Sequence, residues 1–305
     1  MSDLSHPLLQ PLPHPAAERQ GIRLLLWRDD LLGPPGVPGN KARKLKYNLV
    51  QARAEGYGRL LTFGGAYSNH LAAVAAAGAQ SGFETVGLVR GDELATRPLN
   101  PTLAGCRAHG MALHFLTRAA YRRRAEPAFL AEVQQQVGPA YALPEGGTNA
   151  LALRGVAELV PELRAHTTFD YLAVAAGTGG TLAGLALGLA AAGLPARAVG
   201  VAALKGADFL RQDVALLTQA SIGRALTNYE LHTGYHFGGY ACLPPGLRAF
   251  GQDFERTYGV RLDPIYTSKL LAGVFDLLER GHFAPGSTVV AVHTGGQQAW
   301  AGFGD

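Results

Sequence analysis

The chain has 305 residues, 48% hydrophobic and 16% charged, the balance of a compact folded protein with one large or two moderate domains. Its net charge of +4 is spread along the chain except at Arg118 and Arg122 to Arg124, where we predict a solvated helix face and no nucleic-acid site. Two cysteines argue against a disulfide framework or a Cys-rich metal site, so we expect no metal. The N-terminus does not resemble a leader and no long apolar run occurs, so we expect no membrane segment and a cytoplasmic protein.

Short apolar runs alternate with longer Ala- and Leu-rich segments along the chain. In chain order, the runs predict strands at residues 59–63, 85–89, 112–116, 171–175, 198–202 and 288–292. The intervening segments predict helices at residues 45–54, 71–79, 182–192 and 268–280. Repeated alternation of strand and helix predicts an α/β fold with parallel sheets. The Pro- and Gly-containing segment 144–148 is the best candidate for a domain boundary.

The segment 39–45 contains a candidate nucleophile, Lys41. A lysine attacks a carbonyl only as a free amine, so such a lysine needs a lowered pKa. Arg43 and Lys44 are predicted to provide neighbouring positive charge that lowers it. The alternative is that Asn40 caps a helix whose first turns carry exposed basic residues.

The segment 64–70 follows a predicted strand and opens a predicted helix. Ser68 and Asn69 would lie at the helix N-terminus, where unpaired backbone N–H groups favour an anion such as a carboxylate. The alternative is an ordinary serine cap with His70 as a hydrogen-bonded side chain of the first turn.

A glycine-rich loop also lies between a predicted strand and a predicted helix. It consists of Gly177, Thr178, Gly179, Gly180 and Thr181. Glycines let the backbone approach an anion closely, and successive N–H groups at a helix start can bind a phosphate. The loop lacks the Gly-Lys-Ser/Thr ending of a P-loop, and a plain strand-to-helix turn is the alternative.

Taken together, these segments resemble the fold-type-II pyridoxal-phosphate enzymes, and within them the family of 1-aminocyclopropane-1-carboxylate deaminase and D-cysteine desulfhydrase. The resemblance covers most of the chain in seven ordered blocks, at residues 28–31, 39–45, 64–70, 145–150, 177–181, 263–269 and 293–296. It implies a two-domain fold like that of the tryptophan synthase β subunit. Residues 1–44 and 149–305 would form the large cofactor-binding domain and residues 45–148 the smaller one. A homodimer is also implied.

The resemblance further implies a role for each matched residue. Lys41 would hold pyridoxal 5'-phosphate as a Schiff base, Asn69 would bond the ring hydroxyl oxygen, and Lys44 would help the loop 177–181 neutralise the phosphate. Ser68, with the backbone around Asn69 and His70, would hold the substrate carboxylate. Tyr240 and Tyr266 match two tyrosines that approach the substrate, although the residues around Tyr240 depart from the usual pattern, and a buried structural tyrosine is the alternative there.

Two positions divide the family. The deaminases carry a Glu at the position of Thr267 and a Leu at that of Thr294, whereas D-cysteine desulfhydrases typically carry threonines. A hydroxyl opposite the ring nitrogen makes a weaker electron sink than a carboxylate does, which suits loss of a thiolate. We therefore expect α,β-elimination from a small amino acid, with D-cysteine the preferred substrate.

Four points stay open from the sequence. The reaction could instead be deamination of aminocyclopropane carboxylate, or elimination from another β-substituted acid such as a sulfonate. The chain could also be a non-catalytic binding module, which the proline-rich run 31–38 mildly favours. The base that removes the Cα proton could be Lys41, Ser68 or a tyrosine.

Overall fold

The computed structural model describes residues 7–37 and 39–304, so Pro38 of the proline-rich run and the N-terminal residues 1–6 lie outside the described residues. All six predicted strands form. The strands are β1 (Leu9–Pro11), β2 (Arg23–Trp27), β3 (Arg59–Gly64), β4 (Glu84–Arg90), β5 (Ala112–Leu116), β6 (Tyr141–Leu143), β7 (Tyr171–Ala176), β8 (Arg197–Ala202), β9 (Tyr229–His232) and β10 (Thr288–Val292). The patterns left out β1, β2, β6 and β9, of which three have only three or four residues.

The four predicted helices also form. The helices are α1 (Pro15–Arg19), α2 (Asn40–Ala54), α3 (Asn69–Ser81), α4 (Pro101–Ala108), α5 (Arg118–Arg122), α6 (Pro127–Val137), α7 (Ala150–Ala157), α8 (Leu159–Arg164), α9 (Gly180–Ala191), α10 (Leu210–Ile222), α11 (Pro245–Tyr258) and α12 (Thr267–Glu279). Short 3₁₀ turns occur at Asp29–Leu31, Asp92–Leu94, Glu145–Gly147, Ala207–Phe209 and Gln297–Gly302.

The strands form two separate sheets. The larger has the order β1-β2-β10-β7-β8-β9 and the smaller β5-β4-β3-β6. Every neighbouring pair is parallel except β1 and β2. The predicted α/β fold with parallel sheets is thus confirmed.

The sheets divide the chain near the positions proposed for the domains. The smaller sheet uses only strands between residues 59 and 143. The proposed boundary after residue 44 falls within the continuous helix α2, so the division at that residue stays a prediction. Helix α2 carries Lys41 and Lys44 in its first two turns, next to the loops of both sheets.

Each sheet is covered on both faces, as parallel sheets require. Along β10, Val290 and Val292 belong to the core beside α7, α9 and α10, whereas Val289 and Ala291 belong to the core beside α1, α11 and α12. The smaller sheet likewise separates two apolar clusters. Within the described part of the chain, no helix combines the length and apolarity needed to cross a bilayer.

Candidate active site

A cleft opens where the carboxyl ends of β3 and β7 meet the start of α2. The loop after β3 leads into α3, and the loop after β7 leads into α9. Such loops at the carboxyl edge of parallel strands are the usual ligand-binding positions of α/β proteins. The outer part of the cleft has a volume of about 650 Å³ and is lined by Lys41, Ser68, Asn69, His70, Tyr240 and Tyr266, among other residues. An inner cavity adds Lys44, the loop 177–181 and Thr294. The structure therefore brings together nearly all the predicted site residues.

Lys41 lies in the first turn of α2 and lines both parts of the cleft. Burial lowers the pKa of Lys41 to about 8, although the nearby Asp263 carboxylate opposes this effect. Of the two predicted sources of neighbouring positive charge, Arg43 is wrong, whereas Lys44 does interact with Lys41. Arg43 turns away and pairs with Asp29 at 2.9 Å and with Glu162 at 2.6 Å. Lys41 is therefore a candidate nucleophile because it is desolvated, and more of its amine is free near neutral pH than in an ordinary lysine.

Lys44 is 2% exposed and its ammonium group reaches only neutral acceptors. Its Nζ donates to the carbonyl of Gly146 at 3.1 Å and lies 3.5 Å from the Thr148 hydroxyl. Burial, together with the charge of Lys41, holds the pKa of Lys44 well below its usual range. A buried ammonium group without a carboxylate partner is costly, and a bound anion would remove that cost.

The loop after β7 provides a place for that anion. Gly179 has a left-handed φ of 75°, and α9 begins at the next residue. A Cβ on Gly180 would lie 2.6 Å from the Thr148 hydroxyl and 3.1 Å from Lys44 Nζ, so the backbone approaches both groups closely. The Thr148 and Thr178 hydroxyls are 2.6 Å apart, and Asn40 donates to the Thr181 hydroxyl at 3.0 Å. Free N–H groups at the start of α9 and a buried lysine together fit a phosphate.

A second group of backbone N–H donors lies at the start of α3. The Ser68 hydroxyl caps the helix by accepting from the Leu71 N–H at 3.2 Å, which leaves the N–H groups of Asn69 and His70 without an intrahelical partner. Gln298 donates to the Asn69 side-chain oxygen at 2.7 Å, so the NH₂ group of Asn69 points away from Gln298. These groups suit a substrate carboxylate and an oxygen of a bound ring.

His70 is a buried partner of this helix start. Its Nε2 lies 2.8 Å from the Thr62 hydroxyl, and the ring is 2% exposed. Burial, with the charges of Lys41 and Lys44, holds the pKa of His70 well below its usual range. The ring therefore stays neutral, so only the backbone N–H of His70 is suited to an anion at this position.

The two predicted tyrosines face each other across the cleft. Their rings are 6.2 Å apart at an interplanar angle of 62°, and their side chains share a hydrogen bond. Burial raises the pKa of both phenols, so they remain protonated at neutral pH. Lys269, which is fully buried in α12, donates to the carbonyl of Gly239 at 2.5 Å and so fixes the loop that carries Tyr240.

The two threonines predicted near the cofactor ring occupy different positions. Thr294 lines the inner cavity. Thr267 begins α12, is fully buried, and is not among the described residues that line either part of the cleft. Its hydroxyl accepts from the Asp263 N–H at 2.8 Å, and the Asp263 carboxylate accepts from the backbone of Ile265, Tyr266 and Thr267. Of these two threonines, only Thr294 lines the cavity in which a ring could bind.

Several cleft residues were missed by the sequence interpretation. Arg90, Arg122 and Arg124 line the outer cleft beside Tyr240, and Arg124 pairs with Glu145 at 2.7 Å. The tertiary structure thus adds a cleft position to the basic run, for which we had predicted only a solvated helix face. No local signal could have found this, because Arg90 ends β4 and lies 32 residues from Arg122. Asn40, Thr148 and Gln298 support the site through the hydrogen bonds described above.

Comparison with known proteins agrees with this geometry. The family model described as "Pyridoxal-phosphate dependent enzyme" matches residues 7–295. Among relatives, the D-cysteine desulfhydrase of Yersinia pestis is 31% identical over 92% of this chain and 88% of its own length. The 1-aminocyclopropane-1-carboxylate deaminase of Burkholderia vietnamiensis is 31% identical over 97% of this chain and 94% of its own. The solved structure of an ACC deaminase homologue superposes with a TM-score of 0.84 at 28% identity, covering 97% of this chain and 91% of that one.

Proposed function

Because this chain belongs to the pyridoxal-phosphate-dependent enzyme family, has its type-II fold and depends on that cofactor, we propose that it catalyses α,β-elimination from D-cysteine to give sulfide, pyruvate and ammonia. The supporting observation is the absence of any carboxylate side chain among the described residues that line the inner cavity. A bound ring would meet hydroxyl and amide groups there. The electron sink would then be weaker than one with a carboxylate beside the ring nitrogen, which suits a reaction that expels a thiolate.

The residues present fit the cofactor. The buried ammonium of Lys44 and the start of α9 would hold its phosphate, Asn69 its ring hydroxyl oxygen, and Lys41 its aldehyde carbon. When bound, the cofactor would supply the electron sink that stabilises negative charge at the substrate Cα.

The chain's own groups would then handle the substrate. Ser68 and the N–H groups at the start of α3 orient the carboxylate. Lys41 is the best candidate for the base, because its pKa is lowered to about 8 while those of the two tyrosines are raised. Tyr266 and Tyr240, which stay protonated, can donate a proton to the departing sulfur. The proposed substrate is a small amino acid. The expected assembly is a homodimer, and the expected compartment is the cytoplasm.

The assignment of Lys41 is tested by borohydride reduction of the cofactor-loaded protein followed by peptide mapping. The label should be on Lys41. A label on Lys44, Lys46 or Lys269 would overturn the assignment.

The reaction is tested with four substrates. We expect sulfide release from D-cysteine to have a higher kcat/KM than sulfide release from L-cysteine, pyruvate formation from D-serine, or 2-oxobutanoate formation from aminocyclopropane carboxylate. Thr294→Ser is the conservative control and should retain activity, whereas Thr294→Leu places the residue of the deaminases in the cavity and should reduce it. The highest kcat/KM with aminocyclopropane carboxylate would refute the proposal.

A second candidate is favoured by the outer cleft. A hollow that adjoins this cleft and shares Arg90, Arg122, Arg124 and Glu145 with it has four arginines, Arg90, Arg118, Arg122 and Arg124, against two carboxylates, Glu93 and Glu145. This excess of positive charge suits a β-substituent that is itself an anion, such as a sulfonate that leaves as sulfite. Sulfite release from 3-sulfoalanine that exceeds sulfide release from D-cysteine in kcat/KM, and that falls in Arg90→Gln, would establish this alternative. If neither substrate turned over while the cofactor bound normally, a non-catalytic binding role would remain.

A further inference from the structure

A compact group of metal-ligating side chains lies away from the cleft, where β9 forms the edge of the larger sheet. Glu230 and His232 are two residues apart on this strand, so they point to the same face. Leu231 between them is buried in the core beside α9 and α10. The other face is the one on which α12 packs, and His282 follows the end of that helix.

The three side chains converge on one point. Glu230 Oε1 lies 3.2 Å from His232 Nε2 and 2.7 Å from His282 Nε2. One ligand atom from each residue lies within 4.8 Å of the other two. Ligands of a tetrahedral zinc ion are roughly 3.3 Å apart when each bond is about 2.0–2.1 Å. Small side-chain movements would therefore complete the coordination geometry.

The donor set selects the class of metal. Two imidazole nitrogens and one carboxylate oxygen suit Zn²⁺, whereas Ca²⁺ and Mg²⁺ prefer oxygen ligands. The side chains of Glu230, His232 and His282 are 23%, 22% and 31% exposed, so an ion can enter and water can take a fourth position.

The contacts within the group also favour a cation at this point. The Glu230 carboxylate contacts a ring nitrogen of both histidines, and the two imidazole rings are only 4.9 Å apart. A single divalent cation could therefore bind the carboxylate and both ring nitrogens at once.

We propose that Glu230, His232 and His282 bind one zinc ion that fastens the edge strand β9 to the chain segment following α12. The sequence had predicted no metal, because two cysteines do not form a Cys-rich site. His282 lies 50 residues beyond His232, so no local spacing indicates this cluster. The site is independent of the proposed reaction, since none of its residues lines the cleft.

The experiment uses tag-free, cofactor-loaded protein treated with chelator and dialysed. Calorimetric titration with ZnCl₂ should show one ion bound per chain, and the Tm should rise with zinc concentration because the ion binds the folded state. Co²⁺ should give the visible absorption bands of a tetrahedral nitrogen and oxygen site.

The variants Glu230→Gln and His282→Gln should each weaken zinc binding by at least roughly tenfold and abolish the rise in Tm. His109→Gln is the matched control, because it removes an exposed histidine at the end of α4 and should change neither measurement. No saturable zinc binding to the parent protein, or equal binding by His282→Gln, would show that the three residues form only a hydrogen-bonded cluster. The circular dichroism spectrum of each variant shows whether it is folded.

Discussion

Replacing Gly180 with alanine tests whether the loop after β7 is a phosphate site. Gly180 is the first residue of α9 and has no positive φ, so alanine is compatible with its backbone. The added Cβ would lie 2.6 Å from Thr148 Oγ1, 2.7 Å from its methyl group and 3.1 Å from Lys44 Nζ. The methyl group of the new alanine must therefore displace the Thr148 side chain and the nearby Lys44 ammonium group.

Two costs follow from this displacement. Crowding of a packed site costs about 1–3 kcal/mol of folding free energy, including the Thr148–Thr178 hydrogen bond if it is lost. Moving Lys44 away from the phosphate removes a charge-assisted hydrogen bond worth about 1.5–3 kcal/mol. The second cost appears in cofactor affinity, which should fall by roughly 10- to 150-fold.

The assay is a spectrophotometric titration of apoenzyme with pyridoxal phosphate, accompanied by urea unfolding of the apoenzyme. Gly105→Ala is the matched control, because Gly105 lies in α4 with no atom within 4 Å of its added Cβ and no positive φ. That variant should bind the cofactor like the parent. A Kd for Gly180→Ala within a factor of about two of the parent would refute the phosphate site, because a twofold change corresponds to less than about 0.5 kcal/mol of binding free energy.

Three further predictions follow from the same geometry. The rate at which apoenzyme captures pyridoxal phosphate should rise with pH, reach half of its maximum at about pH 8 and level off at higher pH, because deprotonation of Lys41 follows its lowered pKa. A midpoint near the ordinary lysine value would contradict the effect of burial. Gly179→Val should release the cofactor because Gly179 has φ 75° and packs against a neighbouring helix, whereas Thr178→Ser should be mild; full affinity in the valine variant, measured by the same titration, would leave the loop as a plain turn. Lys269→Met should lower the free energy of unfolding by about 1–3 kcal/mol and raise KM, because the carbonyls of Ala203 and Gly239 lose their donor. An unchanged urea midpoint and KM would show that Lys269 does not hold the loop that carries Tyr240.

The sequence by itself determined the fold class and the main binding segments. Apolar runs of strand length and Ala- and Leu-rich segments of helix length are local patterns, and all six predicted strands and four predicted helices form. The glycine loop at 177–181 and the serine at the start of α3 were identifiable for the same reason, because caps and turns are local features. The short strands β6 and β9 carry too few residues for a pattern.

Only the tertiary structure decided the environment of each side chain. Burial, which arises from distant segments, lowers the pKa of Lys41, whereas the adjacent Arg43 turns to Asp29. Lys44 meets a carbonyl 102 residues away, and Glu230 meets His282 52 residues away. Desolvation, hydrogen bonding and charge pairing depend on separation in space, and the folded chain sets that separation through long-range packing that no local pattern contains.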